Sequence, residues 1–94
     1  LRSAALVHWV AASGGLLVVF PSTACPAGVA PSASFRGCGS GSWGSAALAV
    51  GLGVPVLLFV PASLGSVFPA PSVLASNFRL FASLAGGSWW VFTP

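Results

Sequence analysis

The chain has 94 residues, no Asp, Glu or Lys, and a net charge of +3 carried by Arg2, Arg36 and Arg79 alone. A soluble domain devotes about a quarter of its residues to charge, and a near-neutral apolar surface aggregates in water, so this composition points to lipid as the main solvent. With one His and no carboxylate, there is no acid–base pair, no Ser-His-Asp set and no phosphate loop with a Lys, and the widely spaced arginines form no basic patch for nucleic acid.

The first apolar stretch runs from Ala4 to Phe20. Seventeen residues of helix would cover about 26 Å, marginal against a hydrocarbon thickness of about 30 Å. Arg2 before it also gives it the look of a signal-peptide core, and an opening Leu in place of Met leaves room for a presequence upstream. The expectation is a second candidate span over about 4–20, short and tilted or interfacial. His8 lies within it beside Trp9. Its imidazole suits an axial bond to chlorophyll magnesium or haem iron, and equally a hydrogen-bonded place near an interface.

Residues 21–44 read as irregular loop. Pro21, Pro26 and Pro31 recur every five residues, and Gly37, Gly39, Gly41 and Gly44 follow among Ser and Cys. Cys25 and Cys38 enclose twelve residues there. In an oxidising compartment a disulfide between them would contribute roughly 3 kcal/mol, and two free thiols fit the sequence as well. No neighbouring ligand completes a zinc site.

The longest apolar run follows, from Ser45 to Ser76, and is expected to hold the one secure transmembrane helix, about 46–76. Ser45, Ala49 and Gly53 form a small-residue stripe at helical spacing that would let another helix approach closely. Pro55, Pro61 and Pro69 would kink that helix. The tail, 77–94, is expected to be interfacial. Arg79 would mark the end of the main helix, Asn77 would cap it or ligate through its amide oxygen, and Trp89 and Trp90 would form an aromatic belt. The fold class expected is thus an all-α membrane protein forming one small subunit over 1–94.

Within the long run, Phe59-Val60-Pro61, Ala62-Ser63-Leu64, Gly65-Ser66-Val67-Phe68-Pro69-Ala70 and Ala75-Ser76-Asn77-Phe78 form a more specific pattern. It resembles the single transmembrane helix of the small photosystem I reaction-centre subunit VIII, which reads F-V-P, a short spacer, G-x-V-F-P-A, then a small-residue stretch with A-S and Phe. The chain departs by one extra residue between Pro61 and Gly65, and by Pro71 where the family continues with aliphatic residues. The resemblance is confined to residues 59–78; Val67 to Leu80 fits another small photosystem subunit nearly as well. It implies a non-catalytic subunit in the chloroplast thylakoid membrane that stabilises subunit and antenna docking. Its partners would be larger membrane subunits, lipid and pigments, with chlorophyll and carotenoid as cofactors.

Two alternatives stand beside this reading. One is an accessory subunit of another membrane complex, respiratory or photosystem II. The other follows from codons: the absent Asp, Glu, Lys, Gln and Tyr all use adenine in the middle position, and the absent Ile and Met use codons starting with AT. That pattern also fits a GC-rich frame never selected as protein.

Overall fold

Each long apolar run folds as a helix and then a strand. In the computed structural model, which describes residues 2–23, 29–34, 41–64, 73–84 and 86–94, the first run gives α1 (Arg2–Ser13) and β1 (Leu17–Val19). The second gives α2 (Gly41–Gly51) and β2 (Val56–Pro61), followed by a 3-10 turn at Ala62–Leu64. A further 3-10 turn at Val73–Asn77 leads into the hairpin of β3 (Arg79–Leu84) and β4 (Gly87–Phe92). The fold is α/β, built on a four-stranded mixed sheet in the order β1-β2-β4-β3.

The helix-to-strand switch is local chemistry. At the end of α2 the Val54 N–H donates to the Ala49 carbonyl at 2.8 Å and the Gly53 N–H to the Val50 carbonyl at 3.1 Å. This is a Schellman closure, which needs a left-handed residue after the helix, and Gly53 supplies it with φ 73°. Pro55, lacking an N–H, then starts an extended segment and offers its carbonyl to the Leu17 N–H at 2.9 Å. The first run ends its helix in the same way: Gly15 N–H donates to the Val10 carbonyl at 3.0 Å, with Gly14 at φ 70°.

Strand pairing follows from these two exits. β1 lies parallel to β2, with Leu17 opposite Val56 and Val19 opposite Leu58. β2 runs antiparallel to β4, from Val56 opposite Phe92 to Pro61 opposite Gly87. β4 pairs antiparallel with β3, with a register shift between Leu80 and Ala82. Gly86, at φ 80°, lies just before β4.

The core lies on one side of this sheet. Leu17, Val19, Val56, Leu58 and Val60 are buried against α2, and α1 packs on α2 through Val7 and Val10. α2 is therefore enclosed between a helix and a sheet, and Trp43, Gly44 and Ala46 to Val50 are all buried. A helix apolar all round is one buried all round, and its Ala and Gly positions let both neighbours come close. Trp43 is fully buried near its start, and its indole N–H donates to the Thr23 carbonyl at 2.7 Å. That bond fastens the segment after β1 to the crossover helix.

The all-α membrane architecture expected from composition is thus corrected. Among the described residues no helix is long and apolar enough to cross a membrane. The run at 46–76 is divided by the Gly53 closure into α2, β2 and short turns, with residues 65–72 outside the described residues. The run at 4–20 is divided at Gly14 into α1 and β1. The 21–44 segment is irregular where described, except that Gly41 to Gly44 already belong to α2. The tail at 77–94 forms the hairpin of β3 and β4 and pairs with the sheet, so Arg79 opens a strand where a helix end was expected.

Gly53 provides a direct check. The space beside it is open, with Pro94 Cβ at 3.9 Å as the nearest atom, so Gly53→Ala adds only backbone strain. We expect it to lower stability by about 1–2 kcal/mol in urea unfolding followed by circular dichroism, with Gly53→Asn milder. In a continuous helix the same alanine would raise stability by about 1 kcal/mol.

Candidate functional site

The residues singled out by chemistry do not converge. His8 is exposed on α1, and Asn77 is exposed at the end of the 3-10 turn before β3, so it caps no long helix. Cys25 and Cys38 lie outside the described residues. Of the small-residue stripe, Ser45 and Ala49 sit one turn apart on α2 while Gly53 has left the helix. The Ser45 hydroxyl donates to the Gly41 carbonyl at 2.7 Å. Among the described residues no group of three His, Cys, Asp or Glu could hold a metal ion.

What the fold does assemble is the sheet face turned away from the helices. Side chains alternate along a strand, so burying Val56, Leu58 and Val60 sends Leu57 and Phe59 to the opposite side. Cross-strand register then lays out two rows. Val18, Leu57, Val91 and Arg79 form one, and Phe59, Trp89 and Ala82 form the next. Phe20, just past the end of β1, extends the second row, with its ring centroid 6.2 Å from Phe59 and 6.0 Å from Trp89. Phe59 and Trp89 are closest, at 4.8 Å, in a tilted contact of the kind aromatic pairs favour.

Neither helix covers these rows. Phe20 remains 62% exposed and Val18 44%, and the half-buried rings of Phe59 and Trp89 shield mainly each other. Arg79, at the end of its row on the edge strand, is exposed and is the only charge on this face among the described residues. The Trp89 indole N–H is buried within the cluster and has no hydrogen-bond acceptor.

A cavity of about 330 Å³ opens between α1, β1 and the start of α2, lined by Leu6, Leu17, Phe20, Ser42 and Ser45 among others. Backbone and two serines make its lining as polar as it is apolar, and none of the described residues that line it is titratable.

The aromatic face carried a sequence signal of a kind easily overlooked. Val56 to Pro61 is a short apolar run between a Gly/Pro turn and small residues, a pattern that strands share with buried helices. Once it is read as a strand, Phe59 must face away from Leu58. Trp89 and Trp90, read above as one belt, are adjacent on β4 and so fall on opposite faces. Trp90, opposite Leu58, packs on the core, while Trp89 joins the outer cluster.

Trp43 and Trp89 should respond differently to loss of their N–H. Trp43→Phe removes a buried hydrogen bond and leaves the Thr23 carbonyl without that donor, whereas Trp89→Phe removes a donor that has no acceptor. We expect Trp43→Phe to lower stability by about 1–3 kcal/mol more than Trp89→Phe in the same unfolding measurement.

No family model, no curated protein and no solved structure matches this chain.

Proposed function

We propose that this chain is a non-catalytic accessory subunit of a membrane assembly, held there by apolar contact. One observation carries the reading: in a chain without a single Asp or Glu, the outer face of the sheet is apolar but for Arg79, and neither helix covers it. Contiguous apolar patches of this kind mark interaction surfaces, and left in water they aggregate.

Photosystem I is the assembly that the resemblance over residues 59–78 would name. That resemblance is to a spanning helix, and Phe59-Val60-Pro61 here ends a strand, so the broader reading is the one we adopt. A second reading is favoured by the codon pattern of the missing residues, under which the chain is the product of an unselected frame and has no partner.

Fractionation of cells carrying the gene separates these readings. We expect the chain in the membrane fraction after a high-salt wash, and after mild detergent in a particle much larger than its own 9.3 kDa. Recovery as a free monomer in the aqueous fraction would rule out the accessory-subunit reading. Chlorophyll in the absorption spectrum of that particle would narrow the assembly to a photosystem, and its absence would remove that version. If mass spectrometry finds no peptide of the chain while covering its neighbours in the proteome well, the unselected-frame reading replaces ours.

A further inference from the structure

We propose that the outer face of the sheet docks on an anionic lipid surface, with Phe20, Phe59 and Trp89 entering the headgroup–acyl boundary and Arg79 meeting lipid phosphate at the rim. This deepens the membrane-assembly reading by naming the face and the chemistry it meets.

The layout of the face fits such a surface. Its apolar side chains lie in two rows across neighbouring strands, and its most protruding ring, Phe20, stands at the end of β1 with 62% of its surface exposed. Arginine settles at headgroup level through phosphate, and the apolar rings of Phe20, Phe59 and Trp89 suit the boundary below it. The single cation sits on the edge strand, at the end of a row, where it can remain at headgroup level while the rings go deeper.

Charge selects lipid over a second copy of the chain. There is no Asp or Glu anywhere in the 94 residues, so no side chain of another copy can neutralise Arg79. Two such faces placed together would leave both guanidiniums without a carboxylate side chain to balance them. Anionic lipid supplies the missing sign, and each basic residue near such a surface strengthens binding about fivefold.

Vesicle flotation of the 94-residue chain tests this, using phosphatidylcholine alone and phosphatidylcholine mixed with phosphatidylglycerol. The chain should float with both, several-fold more strongly with the mixed vesicles. Phe20→Ser, at an exposed position, should lower binding roughly tenfold, in line with the apolar area withdrawn. Arg79→Gln should lower binding about fivefold on mixed vesicles and leave it unchanged on phosphatidylcholine. Trp9→Ser removes a side chain of comparable exposure, 68%, from α1 and should change nothing. Circular dichroism of each variant confirms that the fold is retained.

Equal losses from Trp9→Ser and Phe20→Ser would overturn the assignment of the face. An unchanged Arg79→Gln variant would overturn the anionic headgroup. A vesicle-free dimer abolished by Phe20→Ser would show that a second copy covers the sheet. Failure to float, with the chain still held in native membrane particles, would overturn lipid docking and leave the accessory-subunit reading intact with a protein as partner.

Discussion

The structure depends on how two helices end. An α-helix leaves its last carbonyls without partners, and in this chain no Lys or Ser-rich terminus is placed to satisfy them. The backbone does so itself, folding back at Gly14 and at Gly53 in the left-handed conformation that a side chain would penalise. Each closure points the following residues away from the helix axis in extended form. Because both apolar runs turn in this way, β1 and β2 emerge side by side, parallel, joined across the Leu17 N–H and the Pro55 carbonyl. Without the closures the same residues would have continued as helix, with no sheet for the C-terminal hairpin to join.

Parallel pairing in turn dictates the fate of α2. A crossover between parallel strands must pass over one face of the sheet, and α2 is the helical part of that crossover. α1 then covers α2 from the other side, so most of the crossover helix is buried, which explains a stretch of Ala, Leu and Val from Ala46 to Val50 with its serines kept to the half-buried positions 42 and 45. Each fully buried Val or Leu contributes roughly 1.5–3 kcal/mol of transfer free energy, so this layer supplies much of the stabilisation. Two hydrogen bonds fasten α2 to the preceding segment, Trp43 indole N–H to the Thr23 carbonyl and Ser32 N–H to the Ala47 carbonyl. Among the described residues no helix covers the opposite face.

The sequence revealed where structure lies better than what kind it is. The apolar runs beginning at Ala4 and Ser45, and the Pro-rich segment after Pro21, were all legible. Their secondary structure was not, because Val56 to Pro61 is apolar on both faces and lacks the alternation that separates strand from helix. The Gly51-Leu52-Gly53-Val54-Pro55 punctuation was the clearest available signal, and scarcity of charge outweighed it in the reading. The C-terminal tail was misread for a related reason. Arg79 and the paired tryptophans resemble membrane-edge markers, whereas strand alternation places Trp89 and Trp90 on opposite faces of one sheet. Of the outer cluster, Trp89 was visible as a singled-out residue, but its meeting with Phe20 and Phe59 depends on long-range register.

The lack of charge acquires a different meaning on this fold. On a spanning helix it would be required along the whole segment, since every residue faces lipid or a partner. On a mixed sheet covered by helices, the buried face already accounts for the apolar residues at alternate positions, and only the opposite face is left to be explained. That face could carry Lys, Glu or Thr at no cost to the core. It carries Val18, Leu57, Phe59 and Trp89, with Arg79 confined to the edge strand. An apolar outer face is thus not something the fold needs. The proposed lipid surface would cover those rings and offer the guanidinium a negative group that no side chain of this chain supplies.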